Sequence, residues 1–128
     1  MSLLQFLKDN PADNQVKTYK IKLDGRLKDA EPFEIQTIDR VQYKNLQGMA
    51  MKGNKIQTEK LATSIVVNSC INPKFNDIEL IKELKVATPE HAVEKLLTSG
   101  EISALALEII ELSGLNVSAE TLEEEVKN

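Results

Sequence analysis

Hydrophobic spacing changes period along the chain, and each change predicts an element. In KTYKIKL, from Lys17 to Leu23, the apolar residues Tyr19, Ile21 and Leu23 alternate with Lys20 and Lys22, the period of a half-buried strand. Asp24-Gly25 signals a turn. After Glu31-Pro32 the alternation returns, with Phe33, Ile35 and Thr37 against Glu34 and Gln36. Two such runs joined by a polar loop predict a β-hairpin with one wet face. A lone hairpin is barely stable in water, so its apolar face is expected to lie on helices.

The rest of the chain carries helical signals. Ser2 and Gln5 have capping-box spacing ahead of Leu3, Leu4, Phe6 and Leu7, which predicts a short helix ending before Pro11. A helix so short is marginal alone, and docking on the chain's own body is the expectation for it. Asp39 is a cap for RVQYKNLQ, with Val41 and Leu46 inward, Tyr43 as a third inward candidate and the end near Gly48. MAMKGNKIQ, with Met49, Met51, Gly53 and Asn54, reads as a polar and basic loop.

The stretch Thr58–Glu83 organises the fold. Leu61, Ile65 and either Asn68 or Cys70 fit helical spacing, with Ala62, Val66 and Ile71 in a neighbouring stripe. The run Ser64-Ile65-Val66-Val67 would also suit a strand, but the absence of alternation favours a helix. The pattern breaks at Asn72-Pro73, and Asn76 with Glu79 opens a further helix through Lys85. Thr88-Pro89-Glu90 starts another, with Val93, Leu96 and Leu97 as its stripe. Thr98 and Glu101 make a capping box for a helix lined by Ile102, Leu105, Ile109 and Leu112 and widened by Leu107 and Ile110, which Gly114 closes. Ser118 or Thr121 caps an acidic tail helix anchored by Leu122 and Val126. The fold class expected is α+β, mostly α: a small helical domain with one N-terminal β-hairpin packed on helices. Its 128 residues form one domain, with the N-terminal helix and hairpin in 1–38, the helical body in 39–114 and the acidic C-terminal helix in 115–128.

Composition narrows the chemistry. Aromatic residues make up 4% of the chain and Trp is absent, so the core must come from Leu, Ile, Val and Ala. No apolar run approaches a bilayer's thickness and no secretory leader is recognisable, so neither a membrane nor an oxidising compartment is expected. A single Cys allows no disulfide framework. Met1–Ser64 carries 11 Lys/Arg against 8 Asp/Glu, net +3, and Ile65–Asn128 carries 5 against 12, net −7. The acidic half argues against nucleic acid, which requires a concentrated basic face. Opposite halves suit a protein that meets another protein or another copy of itself, although an unevenly charged wet surface explains the same numbers.

Catalytic signatures are missing from the pattern. There is no Gly-rich phosphate loop or dinucleotide fingerprint. His91 and Cys70 are each the sole residue of their kind, too few for a zinc site of the usual Cys/His type. Cys70 lies in an apolar run, where free Cys behaves as a small hydrophobe. Glu123-Glu124-Glu125 reads as a solvated face. No cofactor, no metal and no enzymatic activity are expected.

The order of pieces is more specific than any one of them. SLLQFLKDNP, RLKDAEPFEIQTI, IVVNSCINPKFNDIEL, ELKVATPEHAVEKLL, SGEISALALEIIELSGL and the closing LEEEVKN follow one another. In this order the whole chain resembles the XkdN-like family of phage tail assembly chaperones. Pro73-Lys74-Phe75-Asn76-Asp77-Ile78-Glu79-Leu80, Gly100-Glu101 and the final Glu-Val-Lys-Asn carry the likeness most specifically. Where that family commonly has a proline before the Gly-Glu pair, this chain has Ser99, and Thr98 offers the helix its cap.

The resemblance implies a non-enzymatic assembly factor in the cytoplasm of the bacterial host, absent from the mature virion. It implies binding to the tape measure protein, which it would keep soluble during tail assembly. The tail tube protein and a second copy of the chain are further candidate partners. A structural tail or baseplate component is the competing reading. The candidate binding residues are Leu3, Leu4, Leu7, Leu122 and Val126, on short terminal helices that either bind a partner or complete the core.

Overall fold

A computed structural model describes residues 2–11 and 16–115. Its elements, in order, are α1 (Leu3–Asp9), β1 (Thr18–Ile21), a 3₁₀ turn (Gly25–Leu27), β2 (Phe33–Gln36), α2 (Arg40–Met49), β3 (Met51–Lys52), β4 (Lys55–Ile56), α3 (Thr58–Ser69), β5 (Cys70–Asn72), α4 (Ile78–Leu84), α5 (Pro89–Leu96) and α6 (Ser99–Leu112). The fold is α+β and mostly α, with the expected N-terminal hairpin: β1 and β2 pair antiparallel from Thr18↔Gln36 to Ile21↔Phe33. The expected acidic helix at 115–128 lies outside the described residues except for Leu115.

Helix starts follow cap chemistry. Asp39 and Thr98 each form a complete capping box, with Gln42 and Glu101 respectively, and Thr88 accepts from the His91 amide ahead of Pro89. Ser99 occupies the first helical position of α6, where a proline would be equally at home because that N–H has no helical partner. At α4 the cap is Asp77, accepting from the Glu79 amide, one residue beyond the expected Asn76. Both residues have cap-competent side chains, so spacing alone does not separate them.

Two strand features were not in the hydrophobic pattern. MAMKGNKIQ is no plain loop: β3 and β4 pair, with Met51 opposite Ile56 and Lys52 opposite Lys55. Gly53 has φ +64°, a value that hairpin loops of two residues favour at their first position and glycine adopts without strain. The second is β5, which joins the hairpin to give a sheet of order β1-β2-β5. No loop separates it from α3, since Ser69 ends the helix and Cys70 begins the strand.

The core runs through α3. Leu61, Ala62, Ile65 and Val66 are buried, and α3 packs on α6, α5 and α2. Around them lie Ile35, Phe75, Val93, Leu105, Ile109 and Ile110, all almost fully covered. Val41, expected inward, is 67% exposed. The inward stripe of α2 is Tyr43, Leu46 and Ala50, and Val41 stands about 200° round the helix from Tyr43. Ile71 is likewise exposed, because alternation along β5 turns Cys70 in and Ile71 out.

Phe75→Ala should cost about 3–5 kcal/mol in urea unfolding, as a buried aromatic does when truncated. Ile78→Ala, at a position 68% exposed, should stay within about 0.5 kcal/mol of the parent. Equal losses at the two sites would show that Phe75 is not a core residue.

Candidate partner-binding surface

Hydrogen bonds bring the lead-in to β1 and the end of α6 together. The Lys17 amide donates to Thr37 Oγ1 at 3.0 Å, and the Thr37 amide returns to the Lys17 carbonyl at 2.8 Å. Next along the chain, the Ile38 amide donates to Ser113 Oγ at 3.0 Å. The lead-in to β1 and the end of α6 are therefore neighbours. There α6 stops in a Schellman arrangement: Gly114, at φ +68°, donates to the Glu111 carbonyl and Leu115 to that of Ile110.

The α1 helix precedes this point. Ser2 Oγ accepts from the Gln5 amide at 3.1 Å, while the Gln5 side chain turns away to Asp9, so only half of the expected box forms. At about 100° per residue, Phe6, Leu3, Leu7 and Leu4 span an arc of about 160°, and Lys8, Gln5 and Asp9 fill the remainder. This apolar arc is not docked on the body. Leu3 is 74% exposed, Leu4 63%, Phe6 52% and Leu7 52%. The expectation of docking on the chain's own body is thereby corrected. Lys20 within β1 and Lys22 just after it are exposed as well.

Of the sequence-predicted residues, Leu3, Leu4 and Leu7 come together on one face, and Phe6 joins them. Leu3-Phe6-Leu7 spacing already signalled that fourth member. Leu122 and Val126 lie outside the described residues.

The opposite end of the body, about 13 Å away along the four-residue β1 and β2 strands, is clamped by one ion pair. Arg26 in the 3₁₀ turn reaches Glu101 bidentately, with Nε to Oε2 at 3.0 Å and Nη2 to Oε1 at 2.6 Å. Arg26 Nη2 also donates to the Leu96 carbonyl at 2.9 Å, and Glu101 accepts from the Thr98 amide. Chiefly through this bond, Arg26 holds the Glu101 carboxyl below the usual glutamate range, and the Thr98 hydrogen bond adds to the effect. Beside the clamp opens a cleft of about 240 Å³ lined mainly by Leu27, Pro32, Phe33, Phe75, Leu96 and Leu97. Its residues come from separate segments, and no sequence signal marked it.

Cys70 is buried, and burial pushes its thiol up to about 12. No group of three or more His, Cys, Asp or Glu side chains among the described residues is placed to hold a metal ion. No helix among them is long and apolar enough to cross a membrane.

Comparisons with known proteins point one way. Residues 3–127 match the family described as phage XkdN-like tail assembly chaperone protein. Phage-like element PBSX protein XkdN of Bacillus subtilis (strain 168) is 27% identical over 103 residues, covering 77% of this chain and 70% of that protein. The crystal structure of the protein YqbN superposes with a TM-score of 0.63 at 18% identity, covering 89% of this chain and 97% of that one, a likeness of fold.

Two measurements check the ends of the body. Because the Glu101 pKa is lowered by folding, its stabilisation is complete above the ordinary value of about 4.3 and disappears as pH falls through the lowered native one. Glu101→Gln should therefore be less stable than the parent at pH 7, with the gap in urea midpoint narrowing towards pH 3. A gap independent of pH would remove the charge from the account. Cys70 should ignore a thiol-reactive dye at pH 8 in the native protein and react at once in denaturant; prompt native labelling would contradict its burial.

Proposed function

Because the chain belongs to the family of phage XkdN-like tail assembly chaperone proteins, we propose that it binds the tape measure protein and keeps it soluble during tail assembly. It does so without catalysis, as one domain, in the cytoplasm of the bacterial host. It departs before the virion is complete, and the tail tube protein is a second partner as the tube closes around the client. The observation that carries this reading is α1: an amphipathic helix with four large apolar side chains in the open and no buried residue. A tape measure protein is a long helical polypeptide with apolar stripes, and one amphipathic helix covers another by laying its stripe alongside.

Leu3, Leu4 and Leu7 form the proposed contact, and Leu122 and Val126, which lie outside the described residues, are proposed to extend it. Such a contact is weak per copy, because association costs both partners freedom. Several copies on one client make up the difference through effective concentration.

Leu4→Asp with Leu7→Asp changes only exposed residues and should leave the circular dichroism spectrum unchanged. Burying each leucine contributes about 1.5–3 kcal/mol. The double variant should therefore lose about 100-fold or more in capture of the co-expressed tape measure protein. Undiminished capture by the folded variant would move the contact elsewhere, and finding the chain in purified particles would favour a structural tail component.

A further inference from the structure

The outer face of α2 is open to water although it carries two large apolar side chains, Val41 at 67% exposure and Met49 at 68%. Gly48, Asn45, Lys44 and Met49 all lie within about 80° of Val41 around the helix, opposite the buried Tyr43, Leu46 and Ala50. Gly48 is the odd member of this face. It does not take a positive φ, and a Cβ added to it would meet nothing within 4 Å. Glycine is a poor helix former, so neither the backbone conformation nor the packing of the described residues calls for it. A bare backbone on an outer face does let a second element come close.

From this open face we propose that the acidic C-terminal segment, residues 116–128, packs on α2 of its own chain, with Leu122 and Val126 over Val41, Gly48 and Met49. The first support is position. The Ile38 amide donates to Ser113 Oγ at 3.0 Å, and Asp39 is the cap of α2. The end of α6 therefore stands at the start of α2. Leu122 is seven residues on from Leu115, a reach of up to about 24 Å. The ten residues of α2 span about 15 Å, so its whole outer face is within that reach.

The second support is charge. Within α2, Arg40 and Lys44 are exposed and no residue is acidic, a net of +2. The Asp39 carboxylate is engaged at the cap by the Gln42 amide. Residues 116–128 hold Glu120, Glu123, Glu124 and Glu125 against Lys127, 1 − 4 = −3. Opposite signs draw the two together and set their register. The third support is spacing. Leu122 and Val126 are four apart and share a face of a helix. Glu123 and Glu125 fall to either side of Leu122, so an acid meets the Arg40 and Lys44 side whichever way the segment runs. In the chaperone reading above, α2 holds Leu122 and Val126 back until a client claims them. The contact itself belongs to the purified chain and does not depend on that reading.

Peroxide oxidation of the full chain without client, read by mass spectrometry, tests this. Met51, 42% exposed, is the internal reference. Uncovered, Met49 should oxidise faster than Met51; under the segment it should oxidise more slowly. A segment docked about three-quarters of the time slows Met49 about fourfold. Leu122→Asp with Val126→Asp should remove that protection, and Gly48→Gln, at an exposed position away from the core, should do the same. Arg40→Glu with Lys44→Glu should uncover Met49, and adding Glu123→Lys, Glu124→Lys and Glu125→Lys should cover it again. Dilution should change nothing, because the contact lies within one chain. Equal Met49 rates in the parent and the Leu122→Asp, Val126→Asp chain would overturn the proposal, as would a charge swap that restores nothing. So would protection that fades on dilution, which would put a second copy on α2. Capture of the tape measure protein is measured separately, and its failure would leave these rates unchanged.

Discussion

Burial of α3 on nearly every side is the constraint from which the rest of the molecule follows. Seven of its twelve residues are buried, from Leu61 through Val66 and again at Ser69. Six consecutive buried residues point all the way round a helix and need neighbours in several directions, and α2, α5 and α6 supply them. Its hydroxyls must also find partners, because an unmet polar group in that position costs about 1–3 kcal/mol. Thr63 donates back to the Glu59 carbonyl. Ser69 donates to the Gln36 carbonyl, which ties the end of the helix to β2. With no loop between Ser69 and Cys70, that tie places β5 against β2, with an irregular register between Glu34 and Ile35. The chain beyond β5 returns through Phe75 to the core, and Phe75 with Phe33 floors the cleft. The sheet edge and the cleft are thus consequences of where one buried helix ends.

What the sequence revealed and what it concealed divide along a physical line. Caps at Asp39, Thr88 and Thr98 were legible because a cap and its partner stand three residues apart. The β1–β2 alternation was legible because one face is wet. The all-round burial of α3 removes the contrast from which a period is read, so its partners could not be inferred from its own residues. A strand as short as β5 has too few positions to alternate visibly. The cleft draws Leu27, Phe33, Phe75 and Leu96 from distant parts of the chain, and only folding juxtaposes them. The state of α1 was ambiguous for a different reason. Its amphipathic pattern is the same whether its apolar face is covered or open, and only the folded chain shows that none of its residues is buried.

Showing an apolar helix to water normally invites aggregation, and two features limit that hazard here. The exposed arc of α1 is on the order of 500 Å², within the range of the largest patch on an ordinary monomer, about 300–600 Å². The chain also carries a net charge of −4, which opposes indiscriminate contact between copies. A surface so limited holds a partner only when the partner offers matching shape or repeated sites. In the proposed reading, confining the contact to a seven-residue helix with no buried residue separates binding and release from the packing of α3. That separation suits a family that assists assembly: the stable part of the molecule is the part that never has to let go.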